Sequence, residues 1–155
     1  MSLLIYKWCN LSMPWLYMSA FFERYKDEYI DNLFRISSEG DWETWIEFCL
    51  RGTIEQAEES IRRCDAFHLL RERYMREAGQ TSLRAHAIIE DLFTTPVVRI
   101  TALAKRHSVS YPTANTDVAS LVKKGVLRAI PDTRPKAYFS PAIFAIAYDN
   151  LVQST

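Results

Sequence analysis

Between Thr94 and Pro141 the chain is cut by Pro96, Pro112, Gly125, Pro131, Pro135 and Pro141. Proline and glycine at that density limit any element there to about fifteen residues. Inside those limits the pattern is helical twice. Ile100 to His107 reads as a short helix with Leu103 and Ala104 inward, and Ser108-Val109-Ser110 as a three-residue turn. Pro112 to Lys124 reads as a second helix with Ala114, Val118, Leu121 and Val122 inward, ended by Gly125. The period then becomes alternating. Val126 to Ile130 and Ala137 to Ser140 read as strands around a turn at Pro131-Asp132-Thr133-Arg134-Pro135. Pro141 opens a closing helix with Ile143, Phe144, Ile146, Ala147, Tyr148 and Leu151. Two short helices on a tight turn followed by a hairpin form a winged helix-turn-helix. A preceding helix, capped by Thr81 or Ser82 and running to about Phe93, carries Leu83, Ala87, Ile88, Leu92 and Phe93 inward, and Thr94-Thr95-Pro96 closes it.

Upstream the signals are wholly helical. Residues 4 to 18 are apolar and aromatic around Pro14. Ser19 is a cap for a helix to about Ser38, with Phe22, Tyr25, Tyr29, Leu33 and Ile36 on one face and Gly40 as its stop. Asp41 caps a far longer segment ending at Gly79, with Trp42, Trp45, Cys49, Thr53, Ala57, Ile61, Cys64, His68 and Met75 as its stripe and Gly52 as a point for a kink. Some 38 residues at 1.5 Å each span about 57 Å. Such a helix packs against something outside itself, so an oligomer contact or a missing domain is expected, with a homo-oligomer such as a dimer through this helix as the leading reading. The fold class expected is therefore mainly α: helices over 1–40, a long connecting helix over 41–79, and a winged helix-turn-helix with a small two-stranded β wing over 80–155.

The net charge is zero, with 19 basic and 19 acidic residues, but it is segregated. From Pro96 to Ser140 the chain carries Arg99, Lys105, Arg106, Lys123, Lys124, Arg128, Arg134 and Lys136 against Asp117 and Asp132, a local +6 that leaves −6 elsewhere. A cationic segment coincident with a helix-turn-helix points to duplex DNA. The second helix of such a unit enters the major groove, so Ser110, Tyr111, Thr113, Asn115 and Thr116 at its start are candidate contacts to bases and phosphates. Lys123 and Lys124 extend the positive surface, and Arg134 and Lys136 lie where the wing meets the DNA backbone.

Other chemistries find no support. Cys9, Cys49 and Cys64 are odd in number without C-x-x-C spacing, and His68, His86 and His107 are isolated, so no metal site and no disulfide framework are expected. The few glycines are scattered, which excludes a phosphate-cradling loop. No apolar run reaches the roughly 20 residues of a bilayer span and no signal-peptide layout opens the chain, so it is expected to be cytoplasmic with no membrane partner. Catalytic residues are expected to be absent.

The run Pro14-Trp15-Leu16-Tyr17-Met18-Ser19-Ala20-Phe21-Phe22-Glu23-Arg24-Tyr25, followed by Gly40-Asp41-Trp42-Glu43-Thr44-Trp45, resembles the C-terminal end of the Fic (filamentation induced by cAMP) family. In that family a similar segment precedes a long helix and often a winged helix. The resemblance implies helices of a Fic-like core over 1–40. Family members commonly transfer AMP to a protein hydroxyl (AMPylation), using a His-Pro-Phe-x-x-Gly-Asn-Gly loop. This sequence contains neither a His-Pro pair nor Gly-Asn-Gly. The chain is therefore expected to be a non-catalytic fragment of a protein adenylyltransferase, with the Fic catalytic domain as an upstream partner. ATP and Mg are implied for that parent and no cofactor for this chain. The alternatives are a homodimerisation module without DNA binding, and a standalone transcriptional regulator with residues 4 to 78 as its sensor.

Overall fold

The computed structural model describes residues 17–79 and 83–152, together with Lys7 and Asn10. Most of the 4–18 stretch and the Thr81 and Ser82 caps lie outside the described residues. The chain divides into two compact units, Met1–Arg62 and Arg63–Thr155. The division falls within the long helix, where the sequence places a domain of its own.

The first unit holds α1 (Ser19–Arg24), α2 (Lys26–Glu39) and the first part of α3 (Trp42–Ala78). The single helix expected over 19–38 is two, because the backbone at Tyr25 leaves the helical region (φ −113°, ψ 44°). Met18, not Ser19, holds the N-cap position, with no side-chain cap. Gly40 ends α2 at φ 70°, a conformation that costs a glycine little. Asp41 then caps α3: one carboxylate oxygen accepts from the Thr44 N–H at 3.1 Å and the other from Thr44 Oγ1 at 2.7 Å.

The core of this unit is aromatic. Met18, Phe21, Phe48 and Cys49 are buried, with Phe22, Tyr25, Tyr29 and Trp45 packed around them. The Phe21 ring lies 5.0 Å from that of Phe48 and 4.8 Å from that of Tyr25. Arg24 reaches Glu59 at 2.7 Å, and Arg51 pairs with Glu28 at 2.6 Å while covering the Tyr25 and Phe48 rings. α3 runs unbroken through Gly52. A Cβ there would lie 2.5 Å from Phe21 Cδ1, so Gly52 is where α1 approaches the helix backbone. The stripe expected along α3 is only partly inward: Trp45 and Cys49 face the core, whereas Trp42, Ala57 and Ile61 are exposed.

The second unit begins with the end of α3, where Leu70, Tyr74 and Ala78 are buried and His68 and Cys64 are exposed. Gly79 follows at φ 80°. α4 (Leu83–Thr94) buries Ala85, Ile88, Ile89 and Leu92. Leu83, expected inward, is 81% exposed at the helix start. Then come β1 (Val97–Arg99), α5 (Ile100–Arg106), α6 (Tyr111–Lys123), β2 (Arg128–Ile130), β3 (Ala137–Phe139) and α7 (Pro141–Val152). The sheet is antiparallel with order β1-β3-β2, so the expected hairpin gains a third strand. β1 pairs Val97 with Phe139 and Arg99 with Ala137, and the wing pairs Arg128 with Phe139 and Ile130 with Ala137. Val118, Leu121, Val126, Ile100 and Ile143 complete one core with Ile88, Ile89 and Leu92. The Tyr74 hydroxyl lies 3.0 Å from Ser140 Oγ in the interior and ties the last turns of α3 to the residue after β3. Val122, expected inward, is partly exposed at 37%.

Candidate nucleic-acid interface

The turn between α5 and α6 is built as the sequence requires. Ser108 takes the left-handed conformation (φ 53°), and Val109 N–H donates to Ala104 C=O at 3.0 Å. Ser110 is extended (φ −67°, ψ 154°) and caps α6, its Oγ accepting from the Thr113 N–H at 3.4 Å and lying 2.8 Å from Thr113 Oγ1. Thr116 Oγ1 donates to Pro112 C=O at 3.0 Å. Three of the candidate hydroxyls, on Ser110, Thr113 and Thr116, are thus already engaged in holding the helix start. Tyr111 and Asn115 are exposed and have no side-chain hydrogen bond among the described residues.

Helical geometry sorts the remainder. At 100° per residue, Pro112, Thr116, Ala119, Ser120 and Lys123 share an arc of about 100°. All five are exposed, opposite buried Ala114, Val118 and Leu121. Sequence reasoning concentrated on the helix start and missed Ala119 and Ser120. Their signal was their offset of three and four residues from Thr116, and their small size leaves this face open to close approach. Lys123 stands twelve residues after Tyr111, about 18 Å along the axis. Pro112 and Lys123 are two ends of this stripe, whereas Tyr111 and Asn115 lie off it on one side of the helix.

Lys124 plays a different part from Lys123. Its ammonium donates to the Ala78 carbonyl at 2.9 Å, occupying one of the acceptors that the end of α3 leaves open. On the wing, Arg134 and Lys136 are exposed. Thr133 braces that turn, its hydroxyl donating to Ile130 C=O and accepting from Ala137 N–H, both at 3.0 Å. Arg128 is exposed on β2, an edge strand of the sheet.

Ion pairing leaves most of this charge available. Arg106 pairs with Asp91 at 3.2 Å. Arg99, Lys105, Lys123, Arg128, Arg134 and Lys136 have no carboxylate within 4.0 Å among the described residues. Of the two acids in the segment, Asp117 is neutralised by Arg84 of α4 at 2.9 Å, and its hydrogen bond holds that guanidinium above its usual range. A small concavity of about 220 Å³ in the same stretch is lined by Thr95, Val97, Val98, Ala102 and Leu103 together with Arg99 and Arg106. It is smaller than a typical small-molecule site.

Among the described residues no three His, Cys, Asp or Glu side chains converge as a metal site, and no helix is long and apolar enough to cross a membrane. No protein-family model matches the chain.

Proposed function

We propose that the winged helix-turn-helix binds duplex DNA, chiefly through its phosphates. The carrying observation is that, among the described residues, six basic side chains on this module have no carboxylate within 4.0 Å, while one of its two acids is neutralised from outside the segment. α6 supplies an exposed face of small residues with Lys123 at its end, and the wing supplies Arg128, Arg134 and Lys136. Base reading falls to Asn115 and Tyr111, whose polar atoms are not spent on the helix cap. Sequence discrimination is correspondingly modest, since no bidentate arginine projects from the start of α6.

On the resemblance of Pro14–Tyr25 and Gly40–Trp45, the module is read as an appendage of a Fic-like AMP-transferase whose catalytic loop, ATP and Mg belong to another part of the parent. The chain itself acts as a dimer through α3, which would present two DNA-binding modules. A fluorescence-anisotropy titration with a random-sequence duplex tests the DNA reading. Binding in the micromolar range at low salt, lost when Lys123, Arg134 and Lys136 are each changed to Glu, is the expected result. No binding of the parent chain at 25 mM salt would overturn it.

A further inference from the structure

A basic side chain from outside the cationic segment reaches α6. Arg84, on the first turn of α4, holds Asp117 side-on: its Nε donates to one carboxylate oxygen at 2.9 Å and its Nη2 to the other at 3.4 Å. That grip uses one edge of the guanidinium. Nη1 has no partner among the described residues, and the Arg84 side chain is 51% exposed against 14% for Asp117. Residues 87 and 88, one turn further along α4, are alanine and isoleucine, so no acid on the adjoining turn competes for the free edge.

The helix fixes where this pair stands on α6. At 100° per residue Asp117 lies 60° round from Ser120 and 40° from both Thr113 and Leu121, on the border between the exposed arc and the buried face. An unpaired carboxylate there would stand beside the surface proposed to meet DNA and would repel it. With Arg84 the pair has no net charge, yet the arginine keeps N–H donors turned outward along the border. A donor fixed in this way suits a phosphate oxygen. The major groove is about 12 Å wide, and a helix lying in it has a phosphate backbone on either side.

We propose that Arg84, oriented by Asp117, donates to a DNA phosphate beside α6 and so fixes how that helix sits in the groove. The contact rests on the DNA reading above and adds a residue that the cationic segment over 96–140 does not contain. Because Asp117 cancels its charge, Arg84 supplies position and affinity without adding to the salt dependence set by Lys123, Arg128, Arg134 and Lys136.

Fluorescence anisotropy with a random-sequence duplex, run from 25 to 200 mM salt, reads the contact in Arg84→Gln/Asp117→Asn. This double variant has the parent's net charge, so new repulsion plays no part in its affinity. It binds about tenfold more weakly at each salt concentration, the loss of one hydrogen bond to a charged oxygen, and retains the parent's slope. Arg84→Gln alone binds more weakly still at 25 mM, where the freed charge of Asp117 is least screened. Arg71 supplies a control for position. Its Nε donates to Glu90 at 3.0 Å in the same side-on manner, but Glu90 lies six residues beyond Arg84 on α4 and 120° round from it. In the 15N-labelled parent chain the Nε–Hε signal of Arg84 moves when duplex is added, and that of Arg71 stays. Equal affinity of the parent and the double variant would reduce Arg84 to a counterion for Asp117 and overturn the inference while the DNA reading stands. An Arg84 signal that stays put with duplex bound would overturn it as well. A parent chain that binds no duplex at 25 mM would remove the DNA reading and this contact with it.

Discussion

Gly52 separates two physical accounts of the same residue. A glycine inside a 37-residue helix weakens it, and replacement by alanine in an open position should stabilise by about 1 kcal/mol. The surroundings of Gly52 reverse that sign. An added Cβ would lie 2.5 and 2.6 Å from two carbons of the Phe21 ring and 2.7 Å from Met18 Cε. Ordinary contact starts near 3.4 Å, so the ring would have to retreat by almost 1 Å. It has nowhere to go, being fully buried between the rings of Tyr25 and Phe48. Overpacking of this kind costs about 1–3 kcal/mol, and a rigid aromatic neighbour places it at the upper end. Subtracting the propensity gain leaves Gly52→Ala destabilised by about 2 kcal/mol. For a chain of this length that is a fall in melting temperature of roughly 4–8 °C. Thermal unfolding followed by circular dichroism and by tryptophan emission measures it. Adding Phe21→Leu, which removes the offending edge, should make the two substitutions less costly together than their sum. A Gly52→Ala chain that melts at or above the parent temperature would refute the close-approach account.

Three further outcomes follow from the structure. If Lys123, Arg128, Arg134 and Lys136 each neutralise one phosphate, log affinity falls with log salt at a slope of about −3.6, a loss of about 150-fold between 50 and 200 mM. Arg134→Gln with Lys136→Gln should halve that slope and reduce the loss to about 12-fold; an unchanged slope would remove the wing from the interface. Tyr74→Phe strands the buried Ser140 hydroxyl and should cost about 1–2 kcal/mol, with Tyr74→Phe/Ser140→Ala costing less than the sum of the singles in a urea-unfolding cycle. The Asp41 carboxyl is held below its ordinary range by its hydrogen bonds from Thr44, so its contribution is complete above the unfolded value of about 3.9 and is lost as pH falls through the lower folded value. Asp41→Asn, which caps equally well, should match the parent at pH 7 and lose less stability between pH 4 and pH 2 in urea titrations. Parallel acid limbs would show that the cap's charge is immaterial.

Most of the winged module was legible because its signals are local. Ser110 before Pro112, Gly125 after Lys124 and Pro141 before an apolar run each act within a few residues. β1 was not, because three residues have no period and Val97–Arg99 is a strand only through β3, some forty positions away. The stripe on α3 went astray for a geometric reason. Stepping by four from Cys49 through Thr53 and Ala57 to Ile61 advances 400° each time, so the row drifts about 120° and ends in solvent. The face that packs passes instead through Phe48, Gly52 and Gln56, and a polar or side-chain-free residue there is invisible to a reading by hydrophobicity. At the candidate interface the residue types were legible but their prior commitments were not. Nothing in the string Ser-Tyr-Pro-Thr-Ala-Asn-Thr says that three hydroxyls are consumed by the helix start.

The hydrogen bond from Lys124 to the Ala78 carbonyl joins the C-terminal ends of two helices through one ammonium group. On the proposed reading α6 would face DNA and α3 would face a second copy. A phosphate that drew Lys124 away would release the last turn of α3, and a fraying α3 would free the lysine for a phosphate. Amide exchange at residues 76–79 is then a reporter placed outside the groove: occupancy of α6 by DNA would be written in the protection of another helix's final turn.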